Sequence, residues 1–154
     1  MKRRLFLKGS LATGALGVAV ATGLVAPRTT LAAWSKDAFD AKDVNGALTG
    51  MFGSTDLTAS DKIKIKAPDI AENGAVVPVS VTTDIAGAKS ISIITEKNAA
   101  PMTASFDLGP GTEGYVSTRI KMGKTSSVIA VVKADGKLYS TGKEVKVTIG
   151  GCGG

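Results

Sequence analysis

The chain ends in KVTIGGCGG, and its single cysteine, Cys152, has two glycines on each side. A thiolate can act as a nucleophile or as a covalent attachment point. The 154 residues include no histidine. That excludes Cys–His and Ser–His–Asp catalysis within the chain, and a Cys/His metal cluster as well. A lone cysteine forms no intrachain disulfide. In an oxidising compartment an odd, exposed cysteine points to intermolecular pairing or to deliberate reactivity. No charged residue adjoins the thiol, so its activation is expected from whichever protein receives it.

Gly150, Gly151, Gly153 and Gly154 surround that thiol with residues that lack a Cβ. Glycine loses the most backbone entropy on ordering and adopts either sign of φ. The five residues 150–154 are therefore expected to form a flexible arm. Extended, they reach about 17 Å at ~3.4 Å per residue. With one small side chain they can thread a channel too narrow for an ordinary peptide. Prenylation requires three residues after the cysteine, and only Gly153 and Gly154 follow. A bacterial lipid anchor requires a cysteine beside the signal instead. A terminal Gly-Gly is also found in ubiquitin-like sulfur carriers, but their activation uses ATP, which an exported protein does not meet.

Export is the expectation from the opposite end. The first 33 residues carry Lys2, Arg3, Arg4, Lys8 and Arg28 and no acid. An apolar run from Leu11 to about Ala26 follows the basic start, and Leu31-Ala32-Ala33 suits signal peptidase. The alternative is a membrane anchor. The run is short, rich in glycine and interrupted by Pro27 and Arg28, whereas a spanning helix needs ~20 apolar residues. Arg3, Arg4, Phe6, Leu7 and Lys8 match the twin-arginine export pattern, with Lys2 where serine or threonine is usual. That route moves folded proteins, so a partner without a signal can cross already bound. Cleavage is expected near Ala33, leaving a periplasmic protein that starts at about Trp34. Taking the five leader residues from the 19 basic ones leaves 14 against 13 acidic residues. The near-neutral remainder gives no sign of nucleic-acid binding, and none of membrane binding once the signal is removed.

One domain, residues 34–149, must position the arm. Ser35 to Phe52 predicts a helix, with Ala38, Phe39, Val44, Ala47, Leu48 and Met51 in helical phase and Gly46 and Gly50 weakening it. GSTDLTASDK is turn-like. KIKIKA then sets Lys62, Lys64 and Lys66 against Ile63, Ile65 and Ala67, one wet face and one dry. The lysine stripe reads first as a solvated strand face or protected edge, and secondly as a docking surface for an acidic partner. AVVPVSVTT places Val77, Val79 and Val81 on one face, and Pro78 favours an edge or irregular strand. KSISIITEK alternates about Ile91 and Ile93, and TASFDL holds Ala104, Phe106 and Leu108 in phase. YVSTRIKM does the same with Val116, Thr118, Ile120 and Met122. SSVIAVVKA is nearly all apolar, which predicts a central strand. Asp135-Gly136 predicts a hairpin turn into KLYSTG. KEVKVTI turns Val145, Val147 and Ile149 inward. This spacing predicts an all-β, immunoglobulin-like antiparallel sandwich of about seven strands, with a short N-terminal helix and a flexible C-terminal arm. A partner face is expected on Tyr115–Met122 and Val128–Lys133.

The GGCGG ending, on an all-β domain behind a twin-arginine leader, resembles the SoxY family of sulfur-substrate carriers in the thiosulfate-oxidising Sox system. KAPDIAENGAVVPVSV, ISIITEKN, VSTRIKMG and ADGKLY also look like SoxY segments. A small departure is Ala99-Ala100 ahead of Pro101, where the family pattern puts a proline nearer Asn98. The resemblance implies Cys152 as the site of covalent substrate attachment and the four flanking glycines as the carrier arm. It implies a SoxZ-like heterodimer partner, exported with the chain. It further implies transient docking to a haem-containing SoxXA-like enzyme, a manganese-dependent SoxB-like hydrolase and, where present, a SoxCD-like dehydrogenase. The chain itself is expected to be no enzyme and to hold no cofactor. The other class of function is an exported structural β-sandwich that uses its tail thiol for intermolecular disulfides.

Overall fold

The computed structural model describes residues 35–148. The leader with Arg3, Arg4, Phe6 and Leu7, the residue Trp34, and the tail with Cys152 and its glycines lie outside the described residues.

The predicted single helix is two: α1, Lys36–Asp40, and α2, Val44–Phe52. Helical phase continues across both, but Asp43 restarts the helix. Its carboxylate accepts from the Gly46 N–H at 2.8 Å as an N-cap. Ala41, between the two, is extended at φ −56°, ψ 147°. Gly53 closes α2 with φ 72°, its N–H donating to the Thr49 carbonyl. Gly50 has a further purpose, because a Cβ there would lie 2.6 Å from the Ala38 nitrogen. The two helices touch backbone to backbone, and Ser35 Oγ donates to the Gly50 carbonyl at 2.7 Å.

Nine strands follow among the described residues. They are β1 (Thr58–Ala59), β2 (Ile63–Lys66), β3 (Ile70–Ala71), β4 (Val77–Thr83), β5 (Ala88–Thr95), β6 (Met102–Asp107), β7 (Tyr115–Ile120), β8 (Ser126–Ala134) and β9 (Lys137–Val147). One sheet has the order β1-β9-β8-β5-β6, with β3 also on β9; the other is β2-β4-β7. The expected immunoglobulin-like sandwich is present, but two of its pairings, β1–β9 and β3–β9, are parallel. β1 and β3 are two residues each, too short for the period-two signal that revealed the others. KLYSTG and KEVKV form one strand, β9, running through Thr141-Gly142, and Ile149, expected to point inward, lies outside the described residues. The β8–β9 hairpin turns at Asp135 (φ 48°) and Gly136 (φ 75°), the left-handed pair that a two-residue turn demands.

The core between the sheets is aliphatic. Val77, Val79 and Val81 from β4 meet Ile91 and Ile93 from β5 and Val128, Ala130 and Val132 from β8, all essentially inaccessible. Each of these valines and isoleucines contributes about 1.5–3 kcal/mol by leaving water. A second cluster lies on the outer face of the larger sheet, where Ala38, Ala47 and Leu48 of the helices cover Ile94, Met102, Val131 and Leu138. β5 and β8 are consequently buried on both faces. The sequence pattern of β5 shows only one dry face because its other side carries serines. Ser92 Oγ meets this need by bonding Ser105 Oγ at 2.8 Å across to β6.

Two expectations are corrected. Val128 and Ala130–Val132 are fully buried, which leaves only Ile129 and Lys133 of Val128–Lys133 with any surface to offer a partner, since β8 is the middle of the larger sheet with helices on one side and core on the other. It also belongs to a different sheet from Tyr115–Ile120. β4 is a central strand rather than an edge. Pro78 is tolerated because β2 ends opposite Ser80, which leaves Pro78 paired with Arg119 of β7 alone.

Candidate functional site

The last described residues show how the domain delivers its C-terminal segment. β3 lies along β9 with Ile70 opposite Lys146 and Ala71 opposite Val147. Lys146 N–H donates to the Asp69 carbonyl at 2.9 Å and Thr148 N–H to the Ala71 carbonyl at 3.1 Å. Thr148 Oγ1 reaches the Glu72 carbonyl at 3.4 Å. On the other side, Val147 N–H donates to Thr125 Oγ1 at 3.0 Å. The strand is therefore held from both flanks up to its final described residue. Lys143 adds a third tie: its ammonium donates to the Ala67 carbonyl at 2.6 Å and lies 3.0 Å from Asp69 Oδ1. Asp69 is almost fully exposed, so that ion pair contributes little beyond the carbonyl bond.

Gly74 closes the clamp. Its carbonyl accepts from Met122 N–H at 2.6 Å. A Cβ at this position would sit 2.4 Å from the Met122 carbonyl oxygen and 2.8 Å from Val147 Cγ1. Only glycine lets the 73–75 turn, bridged by Asn73 Oδ1 accepting from Ala75 N–H, press onto the end of β9. Sequence patterning missed β3, Thr125 and Gly74 as parts of the clamp. The Asn73-Gly74 dipeptide was the one local signal available, and it marks a turn without saying what the turn touches.

The second arrangement lies on the outward face of β2-β4-β7. The registers place Lys64, Thr82 and Tyr115 in one row, and Lys66, Ser80 and Ser117 in the next. Ser80 Oγ and Ser117 Oγ are 2.9 Å apart. Hydrogen bonds from Ser80 and then Ser117 to its oxygen, with a smaller contribution from Lys66, hold the Tyr115 phenol below its ordinary pKa of 10.0. Among the described residues no three His, Cys, Asp or Glu side chains come together as a metal site would require. No described helix is long and apolar enough to cross a membrane.

The expected site residues Cys152, Gly150, Gly151, Gly153 and Gly154 follow directly after this clamped strand but lie outside the described residues. The structure thus brings together the arm's root, not its tip.

Comparison with known proteins bears on the whole of this region. The family model for sulfur oxidation protein SoxY matches residues 48–152, a stretch that runs from α2 to the cysteine. A solved structure, the sulfur carrier protein SoxY from Chlorobium limicola f thiosulfatophilum, is 53% identical with a TM-score of 0.61, covering 67% of this chain and 94% of that one. A PKD domain of an M14-like peptidase from Thermoplasmatales archaeon SCGC AB-540-F20 aligns at 16% identity and a TM-score of 0.40 over 62% of this chain and all of that one, too weakly to carry an argument. The search of curated proteins finds no match. From the length of the family match and the identity to a solved member, this chain belongs to the SoxY family of sulfur oxidation proteins.

Proposed function

We propose that this protein is a periplasmic carrier that holds thiosulfate-derived sulfur covalently on Cys152 and presents it to separate enzymes, in complex with a SoxZ-like subunit. The observation that carries the reading is the family match extending through residue 152, the chain's one cysteine, with two glycines on either side. The 53% identical neighbour, itself a sulfur carrier protein, supports the same role.

The division of labour follows from the chemistry. Attachment removes the thiol proton and forms a sulfur–sulfur bond to the terminal sulfur of thiosulfate, and two electrons pass to the haem enzyme. Hydrolysis then places a water oxygen on the outer sulfur, releases sulfate and leaves a persulfide on Cys152. A chain without histidine lacks the commonest general base, and the polarising groups for both steps are assigned to the receiving enzymes. What this chain supplies is a rigid root and a narrow arm. Six residues follow Thr148, which span about 20 Å when extended. Gly151 and Gly153 keep the segment slim beside the thiol. The twin-arginine leader, Arg3-Arg4 with Phe6 and Leu7, accounts for delivery to the periplasm.

Intact mass spectrometry after incubation with thiosulfate and the haem-containing loading enzyme tests the reading. The expected result is an adduct on the C-terminal peptide that is absent in Cys152→Ser, while the domain of that variant stays folded. An unmodified peptide, or disulfide dimers alone, would overturn it in favour of a disulfide-linked exported scaffold.

A further inference from the structure

The lysine stripe is the one sequence feature that the carrier role leaves unused. In the fold Lys64 and Lys66 sit on the outer face of the β2-β4-β7 sheet, the face that no helix covers, while Lys62 lies in the turn before β2. Lys64, Lys66 and Arg119 all point outward there and are exposed. None of the three makes an ion pair among the described residues. Of the chain's 13 acidic residues, not one falls within β2, β4 or β7. The nearest in sequence, Asp61, Asp84 and Glu113, lie beyond the strand ends. Three of the domain's 14 cations thus share one sheet face whose strands carry no acid.

The same face contains a groove of about 520 Å³, with Lys66 beside Ser80, Thr82 and Tyr115. The Thr82 and Tyr115 hydroxyls can donate to a carboxylate, and Tyr115 adds half-exposed aromatic surface. The groove continues into a second one through Pro68 and Pro78, which both share. The second groove includes Ala71 and Glu72, whose carbonyls hold Thr148. The two grooves therefore join the basic face to the root of the arm through a stretch lined by Ile70, Val76 and Glu72.

We propose that this face is the docking surface for the enzymes that receive the arm, and that it fits an acidic protein surface around the mouth of their catalytic channel. A stable subunit interface is built on a broad apolar core with charges depleted. Here three exposed cations stand beside only a small apolar patch of Tyr115, Pro68 and Pro78, which suits a transient, electrostatically steered encounter. Carboxylates of the enzyme meet Lys64, Lys66 and Arg119, one entering the groove between Lys66 and Tyr115. The arm, anchored at one end of the same face, is then within reach of the channel. The proposal takes only the identity of the partner from the carrier reading.

The test uses the mature protein with its SoxZ-like subunit, in a Cys152→Ser background, and the purified haem-containing loading enzyme as probe. Biolayer interferometry gives the affinity at low and at tenfold higher salt. Affinity is expected to fall with salt, and Lys64→Glu/Lys66→Glu/Arg119→Glu to weaken binding by about tenfold or more at low salt. The neutral set Lys64→Gln/Lys66→Gln/Arg119→Gln should give a smaller loss, and serves if the reversed set fails to fold. Lys133→Glu/Lys137→Glu, on the other sheet, should stay within about twofold. Binding unchanged in both face sets, or absent in the unsubstituted complex, overturns the proposal. So does loss of the SoxZ-like subunit from the reversed variant on size exclusion, which would assign the face to that subunit. Adduct formation on Cys152 is scored separately, so the carrier reading can stand or fall without this one.

Discussion

Gly74→Ala tests whether the clamp at the end of β9 works as described. The added methyl would lie 2.4 Å from the Met122 carbonyl oxygen and 2.8 Å from Val147 Cγ1. The first is a backbone atom and cannot swing aside, so the 73–75 turn must lift from β9. Overpacking of this kind costs about 1–3 kcal/mol. Lifting the turn also breaks the 2.6 Å bond from Met122 N–H to the Gly74 carbonyl, at about 1 kcal/mol net. The sum is roughly 2–4 kcal/mol, out of the 5–15 kcal/mol usual for a domain, so the variant folds but is weakened. With a urea dependence of about 2 kcal/mol per molar, the midpoint should fall by about 1–2 M. Circular dichroism followed against urea reads this directly. Gly123→Ala is the control: a Cβ there finds only Asn98 Oδ1, at 3.9 Å, so its midpoint should move by less than ~0.5 kcal/mol equivalent. Because Cys152 lies beyond the clamp, mass spectrometry should still detect its adduct in Gly74→Ala. A Gly74→Ala midpoint matching that of Gly123→Ala would refute the close packing of the turn on Val147.

Ile93→Ala, in the fully buried centre between the sheets, should cost about 2–5 kcal/mol, measured by the same urea titration. Asp43→Ala removes the carboxylate that caps α2 and should cost about 1 kcal/mol, with Asp43→Asn restoring most of it. Absorbance titration of a Tyr139→Phe variant should show Tyr115 ionising below 10.0, and Ser80→Ala should move it back up. Because the folded-state value is the lower one, any stability from this ionisation is complete above the unfolded pKa of about 10 and disappears as pH falls through the folded value. Neutral-pH stability is therefore expected to be indifferent to it.

Local periodicity was enough to find the long strands. Val77, Val79 and Val81 alternate with polar residues because one face of β4 meets the core and the other meets water. The unbroken apolar run of β8 marked a strand covered on both sides. Asp135-Gly136 announced its turn because few residue pairs accept positive φ twice in succession. The proposed attachment site rests on composition and on the family match, a single thiol among glycines in a chain without histidine, and lies outside the described residues.

What periodicity could not reveal was anything created by distant segments meeting. β1 and β3 are strands only because β9 offers them hydrogen-bonding partners; two residues carry no period. The helix break at Ala41 depends on α1 and α2 docking through Gly50, a contact in which the missing side chain matters more than any present one. The sequence by itself determined which residues could carry sulfur, which would be dry and where the chain would turn, because those follow from side-chain chemistry and near-neighbour sterics. Tertiary structure alone decided that the root of the arm is clamped between β3 and Thr125. It alone joined three cations from β2 and β7 on one acid-free face, because strands far apart in sequence share a surface only after long-range pairing has set their register.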